Sequence, residues 1–210
     1  MKIDFEKHHY QLVFISLFWQ IVTYMLPNKF SIRVPWPVPV TGVDNWVQVS
    51  SPWIWVYVSF YFFIGGTYLF SRDLFNRRLI FYSYMGSATF SFFYFFILPT
   101  SISRAPYTIN NFGPSEVVLN FIRTLDTSVN CLPSMHICLS TVAALTLIKT
   151  SKKWGLFGVF WLFMIAYSTM ATKQHYFYDV VTGAFLGIFT WLSVYFYLRR
   201  KDAQEPARSL

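Results

Sequence analysis

Two short polar motifs carry most of the groups in this chain that could do chemistry, and each opens an apolar segment. Pro-Ser-Met-His occupies residues 133–136, and Thr-Lys-Gln-His-Tyr-Phe-Tyr-Asp occupies residues 172–179. Only 12% of the residues are charged. Ionisable groups are costly at membrane depth, so their presence beside apolar segments indicates function.

The second motif contains a histidine and an aspartate at a spacing typical of acid–base catalysis. His175 and Asp179 are four residues apart, so on a helix both side chains would lie on one face. A carboxylate placed there fixes the tautomer of the imidazole and stabilises the charge that it gains in reaction. We therefore predict that His175 is a nucleophile oriented by Asp179. His136, on a different helix, is predicted to protonate the leaving oxygen.

Three further residues predict that the substrate carries a phosphate. Arg104 and Lys173 supply positive charge, and Ser134 supplies a hydroxyl at the start of a helix. Free N–H groups and the helix dipole at such a position attract anions. We predict that these three residues bind the substrate phosphate and stabilise its equatorial oxygens during transfer.

A zinc site is the alternative chemistry for the same motifs. His136, His175 and Asp179 could supply three zinc ligands with an open position for water. The sequence has no His-Glu-x-x-His spacing, and the neighbouring Lys173 and Arg104 would repel a cation. We therefore predict neither a metal nor another cofactor.

The apolar segments that must position these groups predict a polytopic membrane protein. The chain is 55% apolar and 22% aromatic, well above ordinary soluble proteins in aromatic content. Six apolar runs approach the ~20 residues needed to cross a bilayer. The predicted fold is all-α, with six transmembrane helices at about residues 10–26, 52–70, 79–98, 133–148, 154–171 and 178–198.

The net charge of +8 is distributed as a membrane protein requires and indicates no nucleic-acid partner. Of the 17 Lys and Arg residues, 12 fall on one side of the predicted spans, together with both termini. The positive-inside rule then places both termini in the cytoplasm. It places the two motifs and Arg104 on the outer face of the inner (plasma) membrane.

The remaining segments predict one domain over residues 1–200 and a polar, disordered cytoplasmic tail over 201–210. Residues 114–123 have the apolar spacing of a short amphipathic helix lying on the membrane interface. Asp44 and Glu116 are predicted to be solvated. Asp4 and Glu6 interrupt the basic start of the chain, and no small-residue cleavage site follows the first apolar run, so this run is predicted to be a span rather than a signal peptide. The two cysteines, seven residues apart, predict no disulfide.

In their order and spacing, the two motifs resemble the type-2 phosphatidic acid phosphatase superfamily. The resemblance covers roughly the second to the sixth predicted span and implies a six-helix membrane core. It implies that His175 forms a phosphohistidine, supported by Asp179, while His136 is the acid and Ser134 binds phosphate. The arginine of the family's first motif corresponds to Arg104.

The chain departs from the family pattern at three positions. Ile97 stands where the first motif has lysine, Ala105 separates Arg104 from its proline, and Thr169 replaces the third motif's arginine. Lys173 is predicted to supply the lost positive charge. Met135 and the Gln-His-Tyr of the second motif resemble the inositol-phosphoceramide synthase-like branch, whose members transfer the head group to a lipid alcohol.

These observations together predict a metal-independent lipid phosphatase acting on a lipid phosphate or pyrophosphate through a phosphohistidine. The first alternative is a phosphotransferase that uses the same residues and a lipid or sugar alcohol. The second is a non-catalytic phospholipid-binding or transport protein. The expected partners are the lipid phosphate substrate and the bilayer, and the sequence specifies neither the lipid nor the oligomeric state.

Overall fold

A computed structural model describes residues 5, 7–30, 33–104 and 113–204. The structure is 77% helical, which confirms the predicted all-α class. Its eight α-helices are α1 (His9–Lys29), α2 (Gly42–Trp46), α3 (Ile54–Leu69), α4 (Leu74–Ile97), α5 (Pro114–Leu125), α6 (Met135–Thr150), α7 (Lys152–Ala171) and α8 (Phe177–Gln204). Two two-residue strands, β1 (Trp36–Pro37) and β2 (Thr100–Ser101), pair in parallel.

The helix boundaries follow from capping residues in the sequence. Asp73 accepts hydrogen bonds from two free amides at the start of α4, and Ser151 accepts one at the start of α7. Pro114 occupies the first turn of α5, where its missing N–H costs nothing. A single residue, Ser151, separates α6 from α7, and these two helices pack closely, whereas α3 and α4 contact each other little.

Helix α6 is the central element of the bundle. It packs against α3, α4, α7 and α8, and most of its residues from Ile137 to Ala144 are buried. Small residues on its neighbours allow this close approach. A Cβ at Gly155 of α7 would lie 2.8 Å from the Cα of Ile148, and one at Gly187 of α8 would lie 2.5 Å from the Cys138 carbonyl oxygen.

Four helices are long and apolar enough to cross a membrane: α1, α4, α7 and α8. These helices are compatible with a membrane protein. The other two predicted spans coincide with α3 and α6, which have only 16 residues each and therefore extend about 24 Å. Because a span requires ~20 residues, six crossings are not confirmed.

The outer connections contain more structure than the sequence indicates. The proline-rich segment forms β1 and pairs with β2 just before Arg104. The predicted amphipathic helix is present as α5, in which Leu119 is buried against α3 while Val117, Phe121 and Leu125 are exposed. Residues 105–112 of the long outer segment lie outside the described residues.

The first four residues of the tail, 201–204, differ from the predicted disorder. Residues 201–204 continue α8 to Gln204 and are therefore not disordered, whereas 205–210 lie outside the described residues. Lys201, Ala203 and Gln204 are good helix formers. A helix that has already begun also extends at little further cost.

Candidate active site

His175 is placed by the turn that ends α7. The amide of Lys173 donates to the Met170 carbonyl at 3.0 Å, and the amide of Gln174 donates to the Thr169 carbonyl at 2.9 Å. This pair of bonds is the Schellman motif, which requires a left-handed residue just beyond the helix. Lys173 provides it with φ of 53°. The turn redirects the chain so that His175 points back into the bundle, where it is 6% exposed.

Asp179 is placed by the start of α8. Its Oδ2 accepts a hydrogen bond from the Tyr176 amide at 2.7 Å and lies 3.4 Å from His175 Nδ1. The two side chains are close, as their spacing predicts, but for another reason. His175 precedes α8 rather than lying on it, so the helix cap, and not a shared helix face, brings them together.

His136 lies in the first turn of α6 and faces His175. Its Nδ1 is 3.3 Å from His175 Nε2. The imidazole is held between two aromatic rings of α3, with ring centroids 4.7 Å away for Tyr57 and 4.6 Å away for Phe60. His136, His175 and Asp179 therefore form one continuous row of polar groups across α6 and α8.

Ser134 joins these two helices. Its hydroxyl oxygen caps α6 by accepting from the Ile137 amide at 3.4 Å, and its own amide donates to the Asp179 carbonyl at 3.0 Å. Gly183, one turn further along α8, lies directly against it, because a Cβ there would overlap the Ser134 carbonyl oxygen. The close approach of α6 and α8 thus sets the distance between the two motifs.

Lys173 faces away from the histidines and toward the C-terminal end of α2. Its ammonium donates to the carbonyls of Asp44 at 2.8 Å and Val47 at 2.5 Å, at the C-terminal end of α2. Partial burial lowers the pKa of Lys173, and the nearby Asp44 carboxylate opposes that shift. The structure does not bring Lys173 into contact with either histidine.

Asp44 is 5% exposed and is not the solvated residue that the sequence predicts. One carboxylate oxygen accepts from the amide and hydroxyl of Thr41, and the other accepts from the Phe177 amide at 2.8 Å. Phe177 is the first residue of α8. Asp44 therefore ties α2 to the helix that carries Asp179. Glu116 likewise has a partner, since its Oε1 accepts from the Ser51 hydroxyl at 3.1 Å.

Arg104 follows β2 and is engaged by the segment after α5. Its guanidinium donates to the Asp126 carbonyl at 2.5 Å and to the Thr127 carbonyl at 2.9 Å. It also lies 3.5 Å from the Asp126 carboxylate, which accepts a hydrogen bond from the Tyr24 hydroxyl. Arg104 is therefore beside the site, with its charge shared with Asp126.

A cavity of about 420 Å³ opens beside the two histidines. His136, His175, Asp126 and Asn130 are among its polar lining residues. Apolar side chains from α1, α3, α4, α5 and α6 form most of the remaining wall; they include Leu17, Phe60, Ala88, Ile122 and Leu139. Ligand pockets are commonly apolar clefts with a few polar groups at one end, and this one suits a molecule with a polar head and a hydrocarbon chain.

The sequence analysis missed three contributors to this arrangement: Asp44, Asp126 and Gly183. Gly183 and Gly187 form a Gly-x-x-x-Gly spacing in an apolar segment, and this pattern alone would have indicated close helix packing. Asp44 has one local signal, since Thr41 and Asp44 have the spacing of a capping box. Nothing nearby indicates the contacts of Asp44 with Phe177 or of Asp126 with Arg104, whose members are more than 20 residues apart in sequence.

Comparison with known proteins agrees with the motifs. The family model of the PAP2 superfamily matches residues 80–203, more than half of the chain, including α5 to α7, nearly all of α8 and most of α4. No curated protein and no solved structure matched the chain. The match contains all six candidate residues and excludes α1, α2 and α3.

Proposed function

The chain belongs to the PAP2 superfamily, and we propose that it dephosphorylates a lipid phosphate or pyrophosphate through a phosphohistidine at the outer face of the inner (plasma) membrane. Membership supports a function of the phosphatase or phosphotransferase type. The observation that carries the finer proposal is the row His136–His175–Asp179, whose two histidines line a mostly apolar cavity.

The arrangement supports one assignment of the ring protons. With the His175 proton on Nδ1, facing the Asp179 carboxylate, the lone pair on Nε2 is free to attack phosphorus. Asp179 then stabilises the imidazolium character that His175 gains as the N–P bond forms. Nδ1 of His136 lies 3.3 Å from that Nε2. His136 is therefore placed to give a proton to the oxygen that leaves with the lipid.

Substrate binding must separate the two histidine rings. Their nitrogens are 3.3 Å apart, whereas nucleophile and acid each need a separate contact of about 3 Å with the substrate. Rotation of His136 away from His175 opens the space for the phosphoryl group. Water, activated by His136 in the second step, then releases phosphate from His175.

Three groups are proposed to hold the phosphate. The start of α6, capped by Ser134, offers the amides of its first turn and the positive end of the helix dipole. Arg104 and Lys173 use some of their N–H groups on backbone carbonyls, and Lys173 would have to turn from the end of α2 toward the histidines to bind the phosphate. Together these groups replace water around the oxygens of the transition state.

A head-group phosphotransferase of the inositol-phosphoceramide synthase-like kind is the second candidate. One observation favours it. Asn130 is 1% exposed and lines the cavity, and its Oδ1 accepts no hydrogen bond from the described residues. With the nearby Asp126 carboxylate, this oxygen could accept a hydrogen bond from the hydroxyl of an acceptor alcohol.

Phosphate release by the detergent-purified protein tests the proposal. The substrates are a panel of lipid phosphates and pyrophosphates, assayed with EDTA present. We expect EDTA-insensitive release that His175→Ala abolishes while the protein remains folded. His8→Ala is the matched control, because His8 lies beside α1 and outside the site, and it should retain full activity.

The remaining outcomes distinguish the alternatives. Appreciable turnover by folded His175→Ala would contradict the nucleophile assignment. Release that requires an added alcohol, with the head group recovered on that alcohol, would establish the transferase instead. Phosphate-lipid binding without turnover in either assay would establish a binding protein.

A further inference from the structure

We propose that Cys131, His175 and Asp179 form an inhibitory binding site for a soft divalent cation such as Zn²⁺. The ligand atoms of these three residues all lie within 4.8 Å of one another. The residues are 2%, 6% and 0% exposed, respectively. Neither the family match nor the proposed hydrolysis assigns a role to Cys131, which is a free thiol.

Two unpartnered atoms point to a ligand in this cluster. Among the described residues, the buried Asp179 Oδ1 makes no hydrogen bond, and the buried His175 Nδ1 makes none either, although it lies 3.4 Å from Asp179 Oδ2. Buried polar atoms are nearly always paired, so each such exception indicates an absent partner or a function. A cation between the two side chains would satisfy both atoms.

The donor set suits zinc. Thiolate, imidazole and carboxylate are its usual ligands, at about 2.3, 2.0 and 2.0–2.2 Å respectively. Ligands of a tetrahedral ion at these distances lie roughly 3.3–3.8 Å apart, so small side-chain adjustments from the present separations close the site. The fourth position is then left to water or to a phosphate oxygen.

The surrounding structure holds the thiol in position. Cys131 packs in a small apolar cluster with Val38, Ile102 and Tyr176, and the next amide, that of Leu132, donates to the Thr100 hydroxyl at 3.1 Å. The ion can reach the cluster through the cavity, since His175 and Asn130, the neighbour of Cys131, both line it.

Binding of the cation would block the proposed nucleophile, and only this consequence rests on the proposed function. Zn²⁺ displaces the thiol proton of Cys131, which passes to solvent. Nδ1 is the nitrogen of His175 that faces Asp179. When the metal takes its lone pair, the ring proton moves to Nε2, and Nε2 no longer has a lone pair for attack on phosphorus.

The test measures metal binding directly, using Co²⁺ as a spectroscopic substitute for Zn²⁺ in purified, EDTA-stripped protein. We expect wild type to show the thiolate-to-cobalt charge-transfer band and one equivalent of bound metal. Cys138→Ser is the matched control, because Cys138 is the other buried cysteine and should leave the band unchanged. Cys131→Ser should abolish the band and weaken Zn²⁺ inhibition of phosphate release by at least about tenfold.

The absence of a thiolate–cobalt band in folded wild type, or its persistence in Cys131→Ser, would overturn the proposal. A measurement on wild type alone guards against a variant that fails to fold: Zn²⁺ should raise the thermal midpoint by mass action, whereas Mg²⁺ should not. Failure of the proposed function leaves the band and this shift intact, so the two proposals can fail separately.

Discussion

The two regions on either side of residue 80 contribute different things to the same site. The family-matched region, residues 80–203, holds both histidines, Asp179, Ser134, Arg104 and Lys173. The preceding region, with α1, α2 and α3, holds none of these six residues, yet it supplies much of the cavity wall and the aromatic rings around His136. The proposed reacting groups thus come from one region, whereas the cavity wall comes from both.

This division predicts that substitutions that lower turnover can be distinguished from substitutions that change the preferred length of the substrate's hydrocarbon chain. Changes within the matched region should reduce turnover for every substrate. Changes on α1 should affect long-chain substrates more than short ones if the hydrocarbon chain of the proposed substrate lies along that wall. The following substitutions test the comparison, beginning with the largest expected effect.

Gly183→Ala, in the family-matched region, should cause the largest loss of stability and turnover. The new methyl group overlaps the Ser134 carbonyl oxygen, which is backbone and cannot rotate away, so α6 and α8 must separate. Overpacking of this kind costs about 1–3 kcal/mol or more. We expect a lower thermal midpoint and a loss of turnover for long and short substrates alike.

Gly86→Ala provides the control for that substitution. Gly86 lies in α4, and a Cβ there meets nothing within 4 Å. Alanine is the better helix former by about 1 kcal/mol, so this variant should be as stable as wild type or more stable. Equal behaviour of the two variants would show that the α6–α8 approach does not set the site geometry.

Asp44→Ala should remove a hydrogen-bonded connection between the two regions. It removes the acceptor for the Phe177 amide and for the Thr41 amide and hydroxyl. Leaving buried donors unsatisfied costs ≈ 1–3 kcal/mol, and about 2–4 °C in thermal midpoint is expected per kcal/mol for a chain of this size. Turnover should also fall, since Phe177 begins the helix that carries Asp179.

Asp202→Ala is the matched control, because Asp202 is 41% exposed in its side chain and only pairs with Arg78 at 2.9 Å. Exposed pairs contribute about 0–1 kcal/mol, so its thermal midpoint should change little. A shift as large as that of Asp44→Ala would remove the argument for a structural role of Asp44.

Leu17→Trp should change selectivity without changing the chemistry. Leu17 lies on α1 and lines the cavity, so a larger side chain there shortens the space for a hydrocarbon chain. A poorly fitting group in an apolar pocket costs roughly tenfold or more in kcat/KM. We expect that loss for long-chain lipid phosphates and little change for a short, soluble phosphate ester.

Phe18→Trp tests whether position in the cavity is what matters. Phe18 is the next residue on α1 but is 57% exposed on the outside of the bundle. Its substitution should leave the ratio of long-chain to short-chain kcat/KM at the wild-type value. A similar loss for both variants, or for both substrates, would argue that the cavity does not hold the chain.

What the sequence predicts here is mainly local. The long apolar runs predict the all-α class. The spacing of His175 and Asp179 predicts that the two side chains are close, but the cap of α8 is what brings them together. The long-range contacts have no sequence signal. Nothing near Asp44 or Arg104 indicates that Phe177 and Asp126 would be their partners. The predicted span at α3 is three residues longer than the helix, because Pro52 and Trp53 lie in a 3-10 turn and Phe70 is the C-cap. The predicted span at α6 has the same length as the helix, 16 residues, and is only shifted by two positions.

Substitutions at Lys173 should give the smallest effect and resolve what this residue does. Its left-handed φ of 53° costs a non-glycine residue roughly 1–2 kcal/mol. We therefore expect Lys173→Gly to be more stable than Lys173→Ala by about 1 kcal/mol. Lys153, exposed in the first turn of α7, is the control: there the order should reverse, with the alanine variant more stable than the glycine variant by about 1 kcal/mol.

The two Lys173 variants also test phosphate binding by Lys173, because both remove its ammonium. If that group contacts the substrate, KM rises equally in both while the thermal midpoints differ. If it serves only the carbonyls of α2, KM stays at the wild-type value and the prediction made from the motif is wrong.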